Sequence, residues 1–153
     1  MVAILHNIRS KHNVGSIFRT ADAAGVKKIY LCGYTPEPLP KVALGAEKFI
    51  PFEKVKSTTA LIDNLRKEGY FIAAVEQSSQ SIPYFKLRSS QDLRLKKVVL
   101  VFGNEVRGLS PAILKRADKI LEIPMFGKKE SLNVAVAFGI VVFGLALSLS
   151  KGL

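Results

Sequence analysis

The stretch KKVVLVFGNEVRGLSPAILKRADKILEIPMFGKKESLNVAVAFGIVVFG, Lys96 to Gly144, decides how this chain folds. It holds two apolar runs, Val98 to Phe102 and Ile120 to Ile123, too short and too β-branched to favour isolated helices. Each empties into a polar, glycine-containing loop. The first is Gly103-Asn104-Glu105; the second is Pro124-Met125-Phe126-Gly127, continuing to Ser131-Leu132-Asn133. Ligands of open α/β sheets collect outside the carboxyl ends of the strands, so the spacing predicts two buried strands whose loops enclose a pocket.

Working outward, Val2 to Leu5 reads as a short buried strand that ends in the basic loop Asn7 to His12. Asn13 stands where a helix N-cap belongs, and Val14, Ile17, Phe18, Ala21 and Ala24 recur at helical spacing until Gly25. Arg19 points away from that stripe and is free to meet a ligand or a second subunit. Lys28 to Cys32 is a second strand, followed by a loop with prolines at 36, 38 and 40. Ala43 to Glu47 makes a helical turn, and Phe49 to Phe52 a short extended piece. Ser57 caps a helix Thr58 to Glu68, whose Leu61, Ile62 and Leu65 face the sheet, and Gly69 stops it. Tyr70 to Val75 is the third strand; Ile82 to Leu95 shows no readable pattern. After the strand Lys97 to Phe102, Ser110 with Pro111 behind it starts a helix reaching Arg116. Lys119 to Ile123 is the last strand, and a helix from Asn133 closes the chain. Strands alternating with helices at this spacing predict a mostly parallel sheet with helices on both faces.

With 153 residues, 48% of them hydrophobic, the chain can bury one substantial core, so residues 1–153 are expected to be a single domain. Its 23 Lys and Arg against 12 Asp and Glu give a formal net charge of +11, which implies a polyanionic partner. Nucleic acid fits best, because the basic residues form no terminal polybasic tail suited to a membrane surface. Cys32 is the only cysteine and His6 and His12 the only histidines. No metal site and no Ser-His-Asp triad is expected from so few groups, and the composition suits a reducing cytoplasm. The apolar run Val134 to Leu149 falls short of the roughly 20 residues of a membrane span and is expected in a core or a subunit interface. No strand is followed by G-x-G-x-x-G or a P-loop, and Gly108-Leu-Ser110-Pro-Ala112 lacks the final glycine of a nucleophile elbow.

Three segments resemble the three motifs of the SPOUT superfamily, in its TrmH/SpoU branch of RNA ribose 2′-O-methyltransferases. Asn13-Val-Gly-Ser-Ile-Phe-Arg19-Thr-Ala-Asp22 is similar to motif 1, and Phe102-Gly-Asn-Glu105-Val-Arg-Gly-Leu-Ser110 to motif 2. Ile123-Pro-Met-Phe-Gly127 with Ser131-Leu-Asn133-Val-Ala-Val-Ala is similar to motif 3. The resemblance covers nearly the whole chain, in the family's order and spacing. It implies a C-terminal deep trefoil knot, a topology that pattern reasoning alone would reject. It also implies S-adenosylmethionine bent into the knotted loops, and a homodimer in which motif 1 of one subunit approaches the cofactor pocket of the other. Many relatives carry an added RNA-binding domain; here RNA recognition is expected from the dimer surface. The loop Pro36 to Ala43 looks somewhat shorter than the segment that the resemblance leads one to expect before Leu44-Gly-Ala-Glu47.

The resemblance also implies roles. Gly103, Asn104 and Gly108 bring backbone groups close to adenine and ribose, while Ile123, Met125 and Leu132 form apolar walls, with Ala74 a further cofactor contact. Arg19 matches the family's catalytic arginine. A guanidinium is a poor base at neutral pH, which favours clamping of the phosphate beside the target ribose and stabilisation of developing oxyanion charge. Asn13, Glu105, Ser131 and Asn133 match the polar residues around it. Glu105 is expected to orient Asn13 or a ribose hydroxyl; Ser131 and Asn133 are expected to fix the arginine and the start of the last helix. The implied activity is methyl transfer to a ribose 2′-hydroxyl of structured RNA, tRNA or rRNA; the alternative is a non-catalytic RNA-binding module that keeps the fold.

Overall fold

A computed structural model describes residues 1–89 and 97–150. Seven strands form one sheet in which every pairing is parallel. In chain order the elements are β1 (Val2–His6), α1 (Lys11–Ala23), β2 (Ile29–Cys32), α2 (Pro40–Ala43), β3 (Phe52–Val55), α3 (Thr58–Lys67), β4 (Phe71–Val75), β5 (Ile82–Pro83), β6 (Val98–Phe102), α4 (Pro111–Leu114), β7 (Lys119–Glu122) and α5 (Val134–Ser150). Across the sheet the strands run β3-β2-β1-β6-β4-β7-β5. β6 is buried along its whole length, as a strand covered on both faces must be.

Two apolar layers explain that burial. On one face α1 and α5 cover the sheet through Phe18, Ile17, Phe138 and Val142; on the other, Ile62 and Leu65 of α3 and Ile113 of α4 pack on Val99 and Val101. Alternation along each strand sends neighbours to opposite layers, so Leu100 joins the first and Val101 the second. Phe102 of β6 meets Phe138 of α5 with ring centroids 4.9 Å apart, tying the strand that leads into the first loop to the helix that follows the second.

Local details correct the sequence reading. Asn13 is not the cap of α1: the helix begins one turn earlier, and the Ser10 side chain accepts the Asn13 N–H at 3.1 Å. The cap is worth about 1 kcal/mol, and its placement at Ser10 frees the Asn13 amide for other partners. The extended piece expected at 49–52 lies instead at Phe52–Val55 and forms the sheet edge β3. Pro40 stands at the start of α2, so the helical turn expected at 43–47 falls earlier, at 40–43, and a separate 3₁₀ turn follows at Ala46–Lys48. Ser110 precedes α4 but its side chain makes no capping bond, and that helix is one turn long. Within the unreadable 82–95 segment, β5 and a 3₁₀ turn at Tyr84–Ser89 form; 90–96 lie outside the described residues.

Among the described residues no helix is long and apolar enough to cross a membrane, and no cluster of His, Cys, Asp and Glu could hold a metal ion. α5 is nearly apolar all round, yet Val136 and Phe143 remain half-exposed.

Candidate active site

A cleft opens at the carboxyl ends of β4, β6 and β7, with about 790 Å³ between its walls, much of it open to solvent. The loop after β6 contributes Gly103, Asn104, Glu105, Val106 and Gly108; the segment after β7 contributes Ile123, Met125, Ser131 and Leu132. Phe102, Leu121, Val134 and Ala137 line the cleft from the sheet and α5. The two loops singled out from the sequence therefore do share one pocket, because β4 alone separates β6 from β7.

Backbone geometry brings the first loop in close. Asn104 and Gly108 form an isolated antiparallel bridge, and Gly108 has φ +64°, in the left-handed region. A Cβ on Gly103 would lie 2.6 Å from the Gly108 carbonyl carbon, so only glycine lets the two ends of the loop meet. The Asn104 side chain is buried and points into its own scaffold. Its Nδ2 donates to the Asn7 carbonyl at 2.8 Å and to the Tyr34 hydroxyl at 2.9 Å, while its Oδ1 accepts the N–H groups of Val106 and Arg107. What Asn104 offers the cleft is its shaped backbone.

Asn13, Glu105 and Asn133, one from each of the three segments, form a single chain of hydrogen bonds. Asn133 Nδ2 donates to Asn13 Oδ1 at 3.1 Å, and Asn13 Nδ2 donates to Glu105 Oε1 at 3.3 Å. Glu105 also accepts the Arg9 and Ser10 N–H groups at 3.1–3.2 Å. Desolvation pushes the Glu105 carboxyl up, but these N–H donors and the Asn13 amide outweigh it and hold the group below the usual carboxylate range. Asn133 caps α5 as well, its Oδ1 accepting the N–H groups of Ala135 and Val136. Ser131 lines the cleft.

One expectation is corrected. Ala74 does not reach the cleft: it is fully buried, and strand alternation turns its side chain into the layer of Val99 and Val101. Its neighbours Val75, Glu76 and Gln77 line the cleft instead. Arg19 does not line this cleft. It lines a separate, more open hollow with His12, Lys41, Val42, Leu44 and Phe143, between α1, α2 and α5.

Glu76 and Glu122 are the residues that sequence reasoning missed. Glu76 Oε2 accepts the Leu109 N–H at 2.9 Å, pinning the first loop to the end of β4, and Glu122 accepts the Ser81 hydroxyl at 2.8 Å. The available signal was a glutamate directly after the apolar run that ends at Val75, and another interrupting the run Ile120 to Ile123. With Glu105 they give the cleft, among the described residues, three carboxylates and no basic side chain, in a chain whose net charge is +11. Apolar walls, exposed loop backbone and an acidic lining suit a ligand with a flat heterocycle, hydroxyl groups and positive charge.

Residues 1–143 match the model of the SpoU rRNA methylase family. This chain belongs to that family. A tRNA (guanosine(18)-2′-O)-methyltransferase of Aquifex aeolicus is 34% identical over 94% of this chain and 67% of its own length. An AdoMet-bound rRNA methyltransferase from Sinorhizobium meliloti superposes with a TM-score of 0.84 at 32% identity, over 97% of this chain and 56% of its own. A structure described as giving insight into 2′-OH methylation of C/U34 on tRNA superposes with a TM-score of 0.79 at 26% identity, over 99% of this chain and 96% of its own. The chain thus spans between about half and nearly all of the length of these relatives.

Proposed function

We propose that this SpoU-family chain transfers a methyl group from S-adenosylmethionine to a ribose 2′-hydroxyl of tRNA or rRNA. The observation that carries the reading is the Asn13–Glu105–Asn133 chain beside a cleft whose lining fits the cofactor. Relatives named as tRNA and rRNA 2′-O-methyltransferases, one of them AdoMet-bound, support it. When bound, S-adenosylmethionine supplies an electrophilic methyl on a sulfonium. Gly103, Asn104 and Gly108 would present backbone groups to its adenosine, and Ile123, Met125 and Leu132 would flank the purine. Glu76, Glu105 and Glu122 would favour its positive charge. Asn13 and Asn133, each locked by the other, would hold the acceptor side in a fixed geometry, where positioning supplies much of the rate. Ser131, on the cleft wall, would offer a further hydroxyl to substrate or cofactor.

Arg19 faces a different hollow from the cofactor cleft, which supports an active site completed across a homodimer. The covering surface would be the half-exposed Val136 and Phe143 of α5 with the exposed Leu44 and Phe49. Arg19, from one protomer, would clamp the phosphate beside the ribose bound at the other and stabilise charge on the 2′-oxygen.

A C-terminal trefoil knot belongs to the same proposal. β7 lies beyond β4, yet the helix that follows it returns to pack on α1 and on the 84–89 turn, with Tyr84 set against Gly144. Residues 1–153 would form one methyltransferase domain, working in the cytoplasm where its RNA is.

The test is methyl transfer from methyl-labelled S-adenosylmethionine to separate tRNA and rRNA pools, followed by alkaline hydrolysis. Alkali cleaves RNA through a free 2′-oxygen, so a 2′-O-methylated linkage survives and the label should sit in alkali-resistant dinucleotides. Label in mononucleotides would place the methyl on a base and sink the reading. Sedimentation should give about twice the 16.8 kDa chain mass.

A further inference from the structure

We infer that Phe126 is a stacking platform for an unpaired nucleobase of the RNA substrate, at the border of the cofactor cleft. The inference rests on the methyltransferase reading for its partner and goes beyond it in naming the contact.

Phe126 is 98% exposed, in a chain that buries Phe18, Phe102 and Phe138 completely. Burying a phenylalanine side chain is worth about 1.5–3 kcal/mol, so this ring forgoes what the others gain. A lone exposed apolar residue needs no explanation, but this one has a particular setting. Met125 before it and Ser131 after it line the cleft, so the ring stands on the segment that walls the cofactor site. At Gly127 an added Cβ would meet nothing within 4 Å, so the loop stands clear of the body. Val106, on the other loop lining the cleft, is 82% exposed and is followed by exposed Arg107.

Charge then selects the partner. Lys128 and Lys129 follow Phe126 closely, and neither forms an ion pair with a carboxylate of the described residues, as Arg107 also does not. Glu130 offsets part of this charge along the chain. An exposed aromatic ring beside unpaired cations matches single-stranded RNA, in which bases stack on aromatic side chains and phosphates meet Lys and Arg. A protein partner would call for a broader apolar surface than one ring and one valine.

The chain contains no tryptophan, so F126W carries a single indole reporter at the proposed contact. Titrating tRNA and fragmented rRNA pools into F126W should quench that fluorescence, saturating with the affinity found independently by filter binding. F126A should bind the better RNA pool on the order of 10-fold more weakly and F126Y near wild type, the size expected for one stacked base. Affinity for S-adenosylmethionine and the sedimenting mass should not change. K128A/K129A should lower the slope of log affinity against log salt by about 1–2. Unchanged RNA affinity in F126A, or no quenching of F126W, would overturn the proposal. So would a loss of cofactor affinity or of dimer mass in F126A, since the ring would then cover the cofactor or a second subunit. Quenching without ribose methylation by the wild-type chain would leave the stacking contact standing and remove the enzymatic reading; methylation without quenching would do the reverse.

Discussion

Asn13 and Glu105, 92 positions apart, meet at 3.3 Å through an amide N–H and a carboxylate, and Asn133 closes on Asn13 from the far end of the chain. Residues from α1, the loop after β6 and the start of α5 thereby become one rigid unit. N13A and E105A should each weaken the fold modestly, and their double-mutant cycle should show a coupling of about 0.5–1.5 kcal/mol. Independent, additive effects in denaturant melts would mean that the contact holds nothing. N13A should also cut methyl transfer far more than it lowers the melting temperature.

The sign of the Glu105 shift sets an acid limit. Its carboxyl titrates below the ordinary range when folded, so its stabilisation is fully present above the unfolded value and is lost as pH falls through the folded one. Wild type should lose stability relative to E105Q as pH is taken from about 5 to about 3. Parallel stability curves for the two proteins over that interval would contradict the assignment.

His6 acts in a separate window. Burial lowers its pKa, and its Nδ1 lies 2.7 Å from the Thr58 hydroxyl. The unfolded chain then binds a proton that the folded chain resists, so stability should rise with pH between about 5 and 7. Replacing His6 by Gln should flatten that rise, as read from thermal melts across the interval.

Arg19 is exposed on α1 and shares its hollow with Lys41 and His12. R19A should fold normally and bind S-adenosylmethionine like wild type, while single-turnover methyl transfer falls by about 10²-fold or more. R19K keeps the charge but not the planar fork and should stay strongly impaired. Full activity in R19A at saturating RNA and cofactor would make this a surface arginine.

Cys32 gives a test of the sheet itself. Burial pushes its thiol up to about 11, and its side chain is fully enclosed in β2. A disulfide reagent should leave the native protein unmodified and titrate one thiol in denaturant. Rapid native labelling would show that the β2 region opens readily.

By itself the sequence determined the apolar strands, the helix stripe Val14-Ile17-Phe18-Ala21, the off-stripe Arg19 and the two loops that would meet. These are local properties: strand and helix periods and glycine positions are legible wherever they occur. The first helix is capped at Ser10 and not at Asn13, because which side chain bonds the helix start depends on where Glu105 and Asn133 draw the Asn13 amide. Ala74 was misplaced for a similar reason. A strand's period says that neighbours face opposite sides, but only packing against Val99 and Val101 decides which side is which. Glu76 and Glu122 became cleft residues only once β4 and β7 lay side by side, a pairing that the strand order dictates and that no spacing in the chain reveals. Arg19 was legible as exposed, yet no residue pattern showed its separation from the cofactor cleft, because the distance between two hollows is a property of the packed helices α1, α2 and α5 and not of any one of them.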